Sequence, residues 1–428
     1  MKKNKILFII PWLPYPLKSG GHQALFNGIY AVRNDFDVYI AYKVENDNDY
    51  LNNEKKFLEL IPNANLYPLC CNDTYPVWRK LASHVKKAMK SVLGLIDGKV
   101  ENAKYVMCER WISTISPMQK EWLEHVSNIC KKNHFDIIQV EMPWYVSQIL
   151  TLPRGSNIIY VHHELGFVRR ELEQKQTILD DYIRACKSFA DYAEIGLLNM
   201  YNAVVTLSPI DKKKLECHGV TVPVYSSFAT INLSNNFECR FSDGLQLSFV
   251  GPDSHSPNLV GINWFLNNCW DKLKKGNSSY KLKIIGKWEE KHITELTSKY
   301  PDVEFLGYVD DLAEAIQGTV MIVPITIGSG IRMKILEACS TGVPFVSTSV
   351  GAEGIPVVSG KHCFLADNPN DFVNCLIRLQ DSGLQKEFVL EARKMVEINY
   401  SIEALRKNRM NIYNDVLNKS LSLHGLYL

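Results

Sequence analysis

Short apolar runs rich in Val, Ile and Leu alternate with longer mixed stretches along the whole chain. A short apolar run bounded by Gly, Pro, Asn or Asp predicts a buried strand, and apolar residues spaced three and four apart predict a covering helix. In the first half this places strands at Lys5 to Ile10, Asp37 to Tyr42, Asp136 to Val140, Ile158 to Val161 and Val204 to Leu207. In the second half strands are expected at Leu247 to Val250, Leu282 to Ile285, Val303 to Leu306, Val320 to Val323 and Phe345 to Thr348. Such alternation predicts an α/β protein of two doubly wound, Rossmann-like domains facing across a cleft. A polar stretch without clear periodicity, roughly Thr230 to Gly244, separates them. The expected division is an N-terminal domain over 1–235, a second over 240–398, and a C-terminal helix and tail over 399–428, with an amphipathic helix read from Tyr400 to Leu417.

Composition narrows the function classes. A chain of 428 residues has room for two cores. Its net charge of +2 argues against nucleic-acid partners. Eleven cysteines, including the neighbours Cys70 and Cys71, show no CxxC or Cys/His ligand spacing, which points to reduced thiols in the cytosol. The opening MKKNKILFIIPWLP has too short an apolar core (Ile6 to Ile10) for a signal peptide, and no run approaches a membrane span, so membrane contact is expected to be peripheral.

The richest segment runs from Val320 to Ile355. An apolar strand ends at Pro324, and Gly328-Ser329-Gly330 then allows backbone N–H groups to converge on an anion at a helix start. Arg332 and Lys334 follow at once. Cations there oppose the helix dipole, and an anion in front of the turn resolves the conflict. Glu337, three residues beyond Lys334, shares its face and suits sugar hydroxyls beside the anion. The bland alternative is a surface Lys–Glu pair after an ordinary Gly-rich turn.

Two doubly wound halves and GSGIRMKILEACSTGVPFVST together resemble the retaining glycosyltransferases of family four, with the GT-B fold. The likeness extends through LSFVGPDSHSPNLVGINWFLNNCW, LKIIGKW and VEFLGYVDDL. It implies that the final helix crosses back to the first domain. It also implies a nucleoside diphosphate sugar as donor, with no separate cofactor; because two cations and helix termini already cover the diphosphate, no metal is expected. The donor would lie against Gly20 and Gly21, Gly251, Gly307 and Tyr308, and Gly328, Ser329, Gly330 and Ile331, with His162, Arg332, Lys334 and Glu337 as catalytic residues. Two departures stand out. Many relatives carry two glutamates eight positions apart, and Ser329 holds the place of the first. Many also supply an Arg and a Lys from the loop that here reads GPDSHSPN, so Arg332 and Lys334 are the substitutes, and Ser329 is left as a helix cap.

Elsewhere, Ser19-Gly20-Gly21 before a helix offers backbone donors, or is simply a helix start. In NIIYVHHELGFVRRE the resemblance puts a histidine near the transferred sugar, and His162 fits that place best. Adjacent strand residues point to opposite faces, so one of His162 and His163 faces the cleft; a structural histidine is the alternative, and Arg169 and Arg170 read as a solvated helix start. In VVTLSPIDKKKLE, Ser208 caps a helix with Pro209 and Asp211 in its first turn, while Gly351 and Glu353 read as an acceptor-side turn. Residues 78–104 combine seven cations and two carboxylates with apolar positions at helical spacing. This suits either a helix lying on anionic lipid or a covering helix. Asp47 to Asp49 has the Asp-x-Asp form of a metal site but sits in a polar loop.

The expected activity is transfer of a sugar to a hydroxyl of a glycan or lipid-linked glycan with retention, in cell-surface polysaccharide synthesis, in the cytoplasm or at the inner face of the plasma membrane. A nucleotide-sugar epimerase or glycosyl phosphorylase on the same fold, and a non-catalytic nucleotide-sugar-binding subunit of a polysaccharide assembly complex, stay open as alternatives.

Overall fold

The structure, a computed structural model, describes residues 3–424 except 18, 45–48, 71–98, 176–179, 229, 232, 234–236, 238 and 329. The basic stretch therefore lies outside the described residues up to residue 98, as do Ser329 and Asp47. Among the described residues no helix is long and apolar enough to cross a membrane.

The first sheet has seven strands: β1 (Asn4–Ile9), β2 (Phe36–Val44), β3 (Asn65–Cys70), β4 (Ile137–Glu141), β5 (Asn157–His162), β6 (Ala203–Thr206) and β7 (Val224–Ser226). They lie in the order β3-β2-β1-β4-β5-β6-β7, all parallel. The second sheet has six: β8 (Gln246–Val250), β9 (Lys281–Ile285), β10 (Val303–Gly307), β11 (Val320–Val323), β12 (Phe345–Ser347) and β13 (Phe364–Leu365), ordered β10-β9-β8-β11-β12-β13 and also parallel. The ten strands expected from the apolar runs are all present; β3, β7 and β13 were not foreseen. In each sheet the strand order reverses at one place, between β1 and β4 and between β8 and β11, and there a crevice opens beyond the carboxyl ends.

Period-two alternation along β1 sends Leu7 and Ile9 to one apolar cluster and Ile6 and Phe8 to another, so the first sheet is covered on both faces. The second domain has its own core around β8, β9 and β11. The final helix runs Ile402–His424, with Tyr400 capping the preceding helix, and places Leu405, Ile412, Tyr413 and Val416 in the first domain's core. Its Arg406 grips Asp35 with two hydrogen bonds, Nε to Oδ2 at 2.8 Å and Nη2 to Oδ1 at 2.6 Å. The chain thus crosses between domains twice, and the crossings are pinned together where Ile231 N and Thr230 Oγ1 both donate to the Tyr400 carbonyl.

One backbone strain lies at the first crevice. Met142, directly after β4, has φ of 82°, a left-handed conformation costing a residue with a side chain about 1–3 kcal/mol. Its carbonyl accepts from Tyr160 Oη at 2.9 Å and from Tyr145 N at 3.0 Å, which holds the turn.

Candidate active site

The second crevice is built by the turns after β8 and β11. Beyond β11, Gly330 has φ of 84° and abuts the first domain: a Cβ there would lie 3.0 Å from the His163 carbonyl oxygen. Only glycine fits both demands. The helix Met333–Thr341 then begins, and its cap position is Arg332, extended at φ −85° and ψ 91°, whose own side chain makes no capping hydrogen bond. The expected cap, Ser329, lies outside the described residues.

Arg332 is 7% exposed, and its Nη1 donates to the Gly330 carbonyl at 2.6 Å. Burial lowers its proton affinity, while Glu164, Glu353 and Asp211 pull it back up. Lys334 is half-buried; its Nζ donates to Asn258 Oδ1 at 2.8 Å and lies 4.1 Å from the centre of the Phe249 ring. Among the described residues no carboxylate lies within ion-pair reach of it. Burial, then Arg332, push its pKa down to about 7, with Glu337 opposing. Asn258 is oriented by its own amide, which donates to the Pro252 carbonyl at 2.8 Å. His255, in the same loop after β8, is pushed down to about 4 by burial and by the charges of Arg332, Lys334 and Arg169. The loop that lacks an Arg and a Lys therefore contributes an amide and a neutral imidazole beside the two cations of the motif.

The first domain meets this motif through the helix Gly20–Val32, capped by Ser19, whose Oγ accepts from His22 N at 3.3 Å. A Cβ on Gly20 would lie 2.8 Å from Met333 Cγ, so the glycine permits the domains to touch. One turn on, Gln23 Nε2 donates to Glu337 Oε1 at 3.0 Å. Burial raises the pKa of Glu337, opposed by Gln23 and Lys334. Farther along the junction, Lys214 and Glu353 pair at 2.8 Å, and Ser208 accepts from Asp211 N at 3.0 Å as the helix cap its sequence predicts.

Both histidines after β5 are held by carboxylates, on different elements. His162 is 2% exposed, with Nε2 at 2.9 Å from Glu194 Oε1 and Nδ1 buried without a hydrogen-bond partner. Glu194 also accepts from Gly166 N at 3.1 Å and from Arg170 Nη2, and Arg170 Nε donates to Asp191 at 2.6 Å. Burial alone would raise the pKa of Glu194, but the hydrogen bond and charge of His162 and the charge of Arg170 bring it down to about 2. Arg170, expected at a solvated helix start, is instead 3% exposed, because two carboxylates neutralise it inside the fold. His163 Nε2 lies 2.7 Å from Glu141 Oε2, and Gln139 bridges Glu141 to Tyr413 of the final helix. His163 meets the motif through its backbone carbonyl, while the ring of His162 turns inward beside Tyr160, 5.3 Å between centroids.

The structure thus gathers Gly20, Gly330, Ile331, Arg332, Lys334 and Glu337 at one junction. Gly251 sits behind them with its N–H donated to Ile285 at 2.8 Å and its carbonyl taken by Trp288 Nε1 at 2.9 Å. Gly307, at φ 68°, and Tyr308, 64% exposed, close the edge strand β10. Gln23, His255 and Asn258 were not foreseen; the only hint was the place of GPDSHSPN in the fold. A concavity of about 720 Å³ lies at the opposite, amino ends of β5, β6 and β7, away from both crevices.

Residues 244–382 match the model of the family described as glycosyl transferases group 1. A protein of unknown role from the cps region of Klebsiella pneumoniae is 23% identical over 420 residues, 92% of this chain and 96% of its own. Among solved structures, TarM of S. aureus superposes with a TM-score of 0.70 at 12% identity, covering 96% of this chain and 99% of that one. Sucrose-phosphate synthase from Thermosynechococcus elongatus gives 0.68 at 14% identity over 97% and 100%, and HepE of Anabaena in complex with UDP gives 0.64 at 12% over 96% and 100%. The fold is GT-B, and the family match supports a glycosyltransferase.

Proposed function

We propose that the protein transfers a sugar from a nucleoside diphosphate sugar to a hydroxyl of a glycan or lipid-linked glycan, with retention and without a metal, in cell-surface polysaccharide synthesis. The observation that carries this reading is Lys334, a half-buried ammonium beside a second, buried cation and without an ion-pairing carboxylate among the described residues. Such a charge is costly until an anion arrives. A diphosphate is the anion whose departure a glycosyl transfer must stabilise.

As the glycosyl–phosphate bond breaks, positive charge grows on the sugar and negative charge on the leaving diphosphate. Preorganised cations and N–H groups then contribute most, because they need no reorganisation. Arg332 and Lys334 supply charge, and the amide ends at Gly330 and Gly20-Gly21 supply oriented dipoles. Glu337, held by Gln23 across the domains, takes sugar or ribose hydroxyls. His162 is assigned to the surroundings of the transferred sugar, and Gly251, Gly307, Tyr308, Gly328, Ser329 and Ile331 to the nucleotide side. The cps-region relative and the UDP bound to HepE favour a polysaccharide product and a nucleotide donor. The sequence resemblance suggests retention, and the two cations with the helix termini at the diphosphate leave no need of a metal.

Lys334→Met tests the assignment. Its turnover of UDP-, GDP- or ADP-sugars is expected to fall roughly a hundredfold, about 3 kcal/mol of leaving-group stabilisation. Wild-type turnover in a folded variant would reject it. Loss of turnover in excess EDTA would reject metal independence, and an inverted anomeric signal in the product by NMR would reject retention.

A further inference from the structure

The reversal of strand order between β1 and β4 opens a crevice in the first domain to which the donor residues above contribute little. Two tryptophans stand there. Trp12 follows β1, and Trp144 follows β4, two residues beyond the strained Met142. Their rings lie 6.0 Å apart at 38°, and Trp12 stacks on His22 at 5.2 Å and 26°. Trp144 remains 39% exposed. Trp12 Nε1 is buried and has no hydrogen-bond partner. A cavity of about 100 Å³ opens beside it, lined also by Leu13, Tyr15, His22, Asn53 and Glu54.

We infer that Trp12 and Trp144 form the platform on which a sugar residue of the acceptor lies, an inference that rests on the glycosyltransferase reading. A pyranose has one face of C–H groups and a rim of hydroxyls. The C–H face suits an exposed indole ring, and the rim needs fixed donors and acceptors. Trp12 Nε1 offers a donor, and the cavity is bordered by Asn53 and by Glu54, which already accepts from Tyr42 Oη. The platform also has the right neighbour: His22 lies on the helix turn whose Gly20 and Gln23 touch Met333 and Glu337 of the donor motif. The strained turn at Met142 is explained as the device that turns Trp144 toward Trp12. The ligand is a neutral saccharide with one unsubstituted apolar face.

The test uses the full chain labelled with 5-fluorotryptophan, its resonances assigned with Trp12→Phe and Trp144→Phe. Methyl α-glucopyranoside, methyl α-mannopyranoside and methyl β-galactopyranoside are titrated to tens of millimolar. At least one is expected to shift the Trp12 and Trp144 fluorine signals together. Its affinity should fall about tenfold in Trp144→Ala, the loss of one stacking ring. Trp12→Phe keeps a ring but removes the N–H, and should weaken binding in a way that depends on the glycoside's hydroxyl configuration. Silence of both signals with all three glycosides, or unchanged affinity in Trp144→Ala, overturns the platform. UDP binding to the wild-type chain is read separately by thermal shift. If nucleotides fail to bind while the glycosides shift both tryptophans, the donor reading falls and the platform stands.

Discussion

The two edges that meet in the cleft treat buried charge in opposite ways. On the first-domain side the groups after β5 are chained into pairs: His162 with Glu194, Glu194 with Arg170, Arg170 with Asp191, His163 with Glu141. On the second-domain side Arg332, Lys334 and His255 crowd together, and Lys334 is met by an amide and a ring face instead of a carboxylate. A paired network is already at its electrostatic minimum and serves to hold shape. An under-compensated cluster is destabilising in the empty protein, and its energy is recovered when an anion binds.

Three experiments break or sharpen this contrast. The largest effect is expected from Glu194→Ala, which leaves the Arg170 and His162 groups buried without their shared carboxylate. A stability loss of about 3–5 kcal/mol in urea unfolding follows from removing one partner of a buried pair; a loss below 1 kcal/mol would mean that the network is slack. Lys334→Met should go the other way, raising stability on the order of 1 kcal/mol while lowering turnover roughly a hundredfold, since it relieves an uncompensated charge. Destabilisation by that variant would show that the ammonium is satisfied in the empty site.

The smallest effect is in pH. The folded pKa of Lys334 is about 7 against an unfolded value near 10.5. Between those values the unfolded chain holds more protons, so this residue makes stability rise with pH from about 7 upward and contributes no slope below it. A bound diphosphate raises the folded pKa. Donor affinity should therefore fall as pH climbs above about 7, by up to roughly tenfold per unit, with proton uptake on binding. Calorimetry in two buffers of different ionisation heat measures that uptake, and release of a proton would contradict the sign.

How far this was legible in the chain depends on the range of the interactions. Strands buried on both faces, such as VMIV at β11, declare themselves, and so do Ser208 as a cap and the turn glycines. The missed strands are edge or minimal elements: β3 carries Pro68 and is half-buried, while β7 and β13 have three and two residues. The motif cations were visible because they oppose a local dipole. Gln23 and Glu337, 314 positions apart, leave no local trace. Arg170 looked like a surface cation because Glu194 lies 24 residues away on another helix. Strand-end geometry could not foresee a carboxylate waiting for each ring of His162 and His163.

The pinned double crossing at Tyr400 bears on how such proteins can be recombined. A graft of the donor half from another chain must be cut twice, once before β8 and once after Tyr400, leaving the final helix with the first domain. A chimera joined at a single point after β7 would import a foreign helix into a core that already specifies Tyr413 for Gln139 and Arg406 for Asp35. The exchangeable unit is thus an internal cassette with its own sheet, and β1 and the final helix belong to one body.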